Sequence, residues 1–116
     1  MKKKESQITV KVGLDENQVP DTISWQATDA DMENEQSAKA MIMSMWDPQD
    51  GNAMRIDLWT KDMLVDDMKV FMFQTLLSLA DTLEKATGER NLAEDLRDYC
   101  AHFADKSGFS KPEDAQ

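Results

Sequence analysis

The apolar positions of this chain change period once. Before about residue 60 they alternate with polar ones, and after it they recur every three or four residues. Alternation sends successive side chains to opposite faces of a strand, whereas three-and-four spacing gathers them on one side of a helix. Ile8, Val10 and Val12 alternate with Thr9 and Lys11 and predict a first strand. Ile23, Trp25 and Ala27 alternate with Thr22, Ser24 and Gln26 and predict a second. Residues 13–21 between them carry Asp15, Asn17 and Pro20, all turn formers, so the two strands are expected to pair as an antiparallel hairpin. Residues 39–46 (KAMIMSMW) predict a third strand, with Ala40, Ile42, Ser44 and Trp46 pointing one way and Met41, Met43 and Met45 the other. Both sets are largely apolar, which suits a strand in the middle of a sheet with both faces covered. The turn DPQDGN at 47–52 leads to a fourth strand over 53–60. Met54, Ile56 and Leu58 form the face expected to meet helices, and Arg55, Asp57 and Trp59 the outward one.

The period then becomes helical. Met68, Phe71, Met72, Thr75, Leu76 and Leu79 begin a broad stripe that continues through Leu83 and Ala86, while Val70, Phe73, Leu77 and Ala80 form a second apolar patch. Only Asp67, Gln74, Ser78, Asp81 and Lys85 make a clearly polar strip, so this helix is expected to bury two faces. It begins between residues 63 and 66, with Asp66 and Asp67 complementing the dipole of its first turn, and stops at Gly88. Asn91 and Glu94 have capping-box spacing for a second helix, whose expected stripe is Leu92, Leu96, Tyr99, Cys100 and Phe103. Gly108 is a suitable helix stop, with Phe109 placed to touch Phe103 or Ala104. The fold class predicted is α+β: an antiparallel sheet of about four strands followed by two C-terminal helices packed on one face. Residues 1–109 are expected to form a single domain, and the polar residues 110–116 a disordered tail.

Charge narrows the partners. A net charge of −10 disfavours duplex nucleic acid and anionic membrane surfaces, which reward a basic face. A single cysteine, Cys100, rules out an intramolecular disulfide and fits a reducing compartment. The basic N-terminal residues lead into no apolar run of signal-peptide length, and no stretch approaches a membrane span, so the expected location is cytoplasmic and no membrane insertion is expected. Nine methionines in 116 residues are many, and methionine recurs at adaptable binding surfaces.

Candidate chemistry is sparse. The acidic residues Asp29, Asp31, Glu33 and Glu35 alternate, but a calcium loop counted from Asp29 would need Gly and Glu where Asn34 and Ala40 stand; a solvated loop is the better reading. Asp47 and Asp50 read as turn residues rather than as a catalytic pair. Cys100 and His102, two apart on a helix, point to nearly opposite sides and cannot form a dyad; Cys100 reads as core, and His102 as a surface partner of Asp98. The chain carries no phosphate-binding loop, dinucleotide turn, serine elbow or paired CxxC, so no enzyme activity and no cofactor are expected. The surplus apolar surface instead points to an interaction module, with Met41, Met43, Met45, Arg55, Asp57 and Trp59 as its candidate interface and Trp59 as a candidate anchor. Two other readings fit the same surface: a holdase resembling the SecB export chaperone in its order of elements, and a small-ligand binder with a pocket between sheet and helix.

Several segments carry a family resemblance. RIDLWTKDM (55–63), VDDMK (65–69), QTLLSLADTLEKATG (74–88) and RDYCAHFA (97–104) resemble the gliding motility-associated GldC family, as do WDPQDGN (46–52) and LDENQVPDTISWQATD (14–29). The similarity runs from about residue 8 to residue 103. Leu64 departs from it where a proline would precede the helix, and Tyr99 stands where Phe is frequent. The resemblance implies a small cytoplasmic accessory protein of the gliding machinery without enzymatic activity or cofactor. Its implied partner is a gliding-machinery component, while the surplus apolar surface suits a second copy of the chain as well, with a homo-oligomer expected. It carries over no functional residues.

Overall fold

A computed structural model of the chain describes residues 4–28 and 35–108. The element order is β1 (Ile8–Leu14), β2 (Pro20–Ala27), β3 (Gln36–Ala38), β4 (Ala40–Asp47), β5 (Asn52–Trp59), α1 (Val65–Thr87) and α2 (Arg90–Ser107). The class is α+β as predicted: antiparallel strands first, two C-terminal helices after them. By its internal contacts the chain forms two compact units, Met1–Met63 and Leu64–Gln116.

The strand unit holds five strands in two ladders, β1-β2-β3 and β4-β5, every pair antiparallel. In the predicted first hairpin Ile8 faces Ala27, and Val12 faces Ile23, which is buried. Its loop is organised by Asp15, whose Oδ1 accepts hydrogen bonds from the amides of Asn17 and Val19 at 2.8 and 3.0 Å. Gln18 takes a positive φ of 66° to close that turn. The Val19 amide, and after it the Lys61 ammonium at 3.0 Å, holds the Asp15 carboxyl below its usual range.

β3 and β4 are separated by Lys39 alone, so one extended segment pairs with β2 through its first residues and with β5 through the rest. A strand that bends from one ladder into another turns a corner of the sheet. This corrects the expectation that residues 39–46 lie in the middle of a sheet. β4 pairs with β5 only, because the bend at Lys39 gives the partner on the other side to β3. Three bonds hold the corner. The Thr60 amide donates to the Lys39 carbonyl at 2.8 Å, the Lys61 amide to the Pro20 carbonyl at 3.1 Å, and the Lys39 ammonium meets Asp62 at 2.6 Å. Thr60 is buried and its hydroxyl donates to Asp62 at 2.6 Å.

The helical unit is an antiparallel hairpin. α1 begins at Val65, inside the predicted window, and ends on Gly88, which adopts the left-handed φ of 74°. α2 ends the same way on Gly108, at φ 89°. α2 begins earlier than the Asn91–Glu94 spacing suggests: Thr87 Oγ1 accepts the Glu89 amide at 3.0 Å, the first helical residue is Arg90, and Asn91 already lies inside the helix. The fully buried positions are small: Ala80 on α1, and Ala93, Cys100 and Ala104 on α2. Small side chains let two helices approach closely. Arg97 bridges them, donating to Asp81 at 2.9 Å and Glu84 at 2.8 Å on α1 and to Glu94 at 2.7 Å on its own helix. The second apolar patch of α1, which contains Ala80, is therefore the one that α2 covers. Phe109 and the tail lie outside the described residues.

Candidate functional site

The β4–β5 hairpin is where the predicted interface residues fall. The turn that makes it is local chemistry: Asp47 Oδ1 accepts the Gln49 amide at 2.9 Å, the Asp47 carbonyl accepts the Gly51 amide at 2.9 Å, and Gly51 takes a φ of 67°. Asp47 thus serves the turn, as the sequence suggested, and sets the register that follows.

That register pairs Met41 with Leu58, Met43 with Ile56 and Met45 with Met54. Residues directly opposite in an antiparallel pair share a face. The three β4 methionines therefore lie with Met54, Ile56 and Leu58, on the opposite side of the hairpin from Arg55, Asp57 and Trp59. The six candidate residues do not form one surface; they divide between two. The first is a methionine face on which Met45 (59%), Met54 (57%) and Ile56 (53%) are the exposed members. The second carries Ile42, Trp46 and Trp59 around the pair of Arg55 and Asp57, whose Nη2 and Oδ2 atoms are 2.8 Å apart. Trp46 is 67% exposed and Trp59 56%. Asp57, by hydrogen bond and charge, raises the pKa of Arg55 above its ordinary value.

Trp46 was not among the predicted interface residues, although its alternation with Ala40, Ile42 and Ser44 placed it correctly. Only the pairing of β4 with β5 brings it onto the face of Trp59. Tryptophan and arginine are among the side-chain types that most often carry binding energy between proteins.

The remaining candidates resolve simply. Cys100 is fully buried, and burial pushes its thiol pKa up, away from the reactive thiolate. The ring neighbour of His102 is Tyr99, with centroids 6.0 Å apart. Asp29, Asp31 and Glu33 lie outside the described residues, and Glu35 forms an ion pair with Lys11 at 2.6 Å. Among the described residues no three His, Cys, Asp or Glu side chains gather as a metal site would require. An open, mostly polar depression bordered by Gln7, Thr9 and Gln26 lies on the β1–β2 hairpin. No helix among the described residues is long and apolar enough to cross a membrane.

These features define a small α+β protein whose most distinctive surface is a two-faced β-hairpin bearing exposed tryptophan and methionine. A family model described as gliding motility-associated protein GldC-like matches residues 20–108, and the chain belongs to that family. No curated protein and no solved structure matches it.

Proposed function

We propose that this chain is a non-enzymatic, cytoplasmic accessory protein of the gliding motility machinery that acts by binding another protein. Membership of the GldC-like family supplies the association with gliding. The observation that carries the binding role is the exposed pair Trp46 and Trp59 on one face of the β4–β5 hairpin, with Arg55 and Asp57 between them. An aromatic surface of this kind gains free energy by being covered, and its central charges select a partner with complementary ones. The partner is expected to be a protein of the machinery, docked on the tryptophan face.

The test is genetic and structural together. A gliding bacterium lacking the chain should lose or slow its gliding, and the native chain should restore it. Trp46→Ala with Trp59→Ala should accumulate, keep the native circular dichroism spectrum and fail to restore movement. Undiminished gliding in the deletion strain would refute the role; full rescue by the double variant would refute the tryptophan face.

The methionine face favours one further reading, a holdase, because Met45, Met54 and Ile56 offer flexible apolar surface to many sequences. It requires that the chain suppress aggregation of an unfolded client and that Met45→Lys weaken that suppression.

A further inference from the structure

Among the described residues β5 pairs with β4 alone, and no strand is paired to its other edge. Which groups that edge presents follows from the ladder. The Thr60 amide donates to the Lys39 carbonyl, and these residues continue the register in which Ala40 faces Trp59. In an antiparallel ladder, residues alternate between bonding to one neighbour and bonding to the other. Thr60, Leu58, Ile56 and Met54 therefore bond toward β4. Trp59, Asp57, Arg55 and Ala53 direct their N–H and C=O groups outward. The edge ends just past β5, where the Lys61 amide already donates to Pro20.

We propose that this edge pairs with the same edge of a second copy of the chain, antiparallel about a twofold axis at Ile56. The sequence of β5 is self-complementary about that residue. The axis sets Arg55 opposite Asp57 of the partner subunit and Asp57 opposite Arg55 of the partner subunit. Each chain's own Arg55–Asp57 pair then becomes half of a square of four charges in which every neighbour is of opposite sign. At the ends of the strand Ala53 meets the partner's Trp59, so a small side chain faces a large one. On the other side of the sheet Met54 meets the partner's Leu58, and Ile56 meets the partner's Ile56, so the methionine face runs unbroken across the axis.

All four outward residues meet outward residues, and each such pair can exchange two main-chain hydrogen bonds. Registers with the axis at Arg55 or at Asp57 leave three such pairs instead of four, since Trp59 would face Gly51 of the turn or Ala53 would face Lys61, and each sets like charges opposite each other, which is destabilising. Charge thus selects the register at Ile56 and selects a second copy as the occupant. An unrelated strand could use the backbone bonds but not the charge pattern. No part of this requires the gliding partner, which would dock on a face rather than on the edge.

Charge exchange tests the proposal. At about 100 µM, where an association of micromolar affinity is filled, light scattering should give the native chain twice its monomer mass of 13.2 kDa. Arg55→Asp alone and Asp57→Arg alone should each halve that mass while keeping the native circular dichroism spectrum. An equimolar mixture of the two variants should recover it, because each strand then meets its opposite. Ile56→Cys should form a disulfide-linked dimer on mild oxidation, since position 56 lies on the axis and the native Cys100 is buried. A native chain that stays monomeric, single variants that remain dimeric, or a mixture that does not reassociate would each overturn the edge pairing. Trp46 lies on β4 and not on the edge, so gliding rescue by Trp46→Ala reads the partner face while the mass of the charge variants reads the edge pairing, and the two readings can fail separately.

Discussion

At the scale of single residues, the turns and stops are decided by chemistry within a few positions, and there the sequence was most legible. Gly88 was expected to end the first helix and does so with a left-handed backbone. A Cβ placed there would meet nothing within 4 Å, so the cost of Gly88→Ala is conformational rather than steric. It should lower the unfolding free energy by about 1 kcal/mol, read in urea denaturation. Asp15 was legible only as a turn former; its second role, gripping Lys61 across 46 positions, depends on how the ladders meet. Because the native carboxyl titrates below its ordinary value of 3.8, its contribution is complete above that value and is lost as pH falls through the lower native one. The paired Lys61 is shifted above 10.5, so its contribution is complete below that value and is lost as pH rises through the higher native one. Asp15→Asn should therefore reduce stability at neutral pH and flatten both the acid and the alkaline decline. Urea midpoints across the pH range test this, and an unchanged acid limb would remove Asp15 from the account.

At the scale of elements, period was legible and contact line only in part. Of the stripe Leu92, Leu96, Tyr99, Cys100 and Phe103 nominated for the second helix, Cys100 is buried and Leu96 and Phe103 are half-buried, yet Leu92 and Tyr99 are both 53% exposed while Ala93 and Ala104 are buried. What selects the line is size, since the helices close on the positions where a small side chain lets the backbones approach. Ala93→Leu should then overpack the hairpin and cost about 1–3 kcal/mol. Leu92→Ala, one position away, should stay within about 0.5 kcal/mol. Equilibrium unfolding of the two variants separates these assignments, and a larger loss at Leu92 would restore the hydropathy stripe. Among the strands, β3 was missed because three residues, Gln36, Ser37 and Ala38, are too short to show alternation. The bend at Lys39 was missed because it is fixed by hydrogen bonds to residues twenty or so positions away. The division of the candidate interface has the same origin. Alternation within β4 and within β5 was read correctly, but which faces of two strands coincide is set by register.

At the scale of the whole molecule, two electrostatic effects oppose each other, and they predict different things. A chain of net charge −10 repels its copy, and that repulsion reaches about 30 Å at 0.01 M salt but only about 8 Å at 0.15 M. The square of charges about Ile56 acts at contact distance, where salt matters less. Were net charge in control, Asp57→Arg, which changes −10 to −8, would associate more readily than the native chain, and Arg55→Asp, at −12, less readily. Edge pairing predicts that both associate less, since each sets like charges directly opposite. It also predicts that the native dimer strengthens as salt rises from about 0.01 to 0.15 M, because long-range repulsion is screened before the contacts are. Sedimentation equilibrium of the native chain and both variants at the two salt concentrations decides between them. A rise in association for Asp57→Arg would mean that bulk charge, and not the pattern along β5, governs how copies of this chain meet.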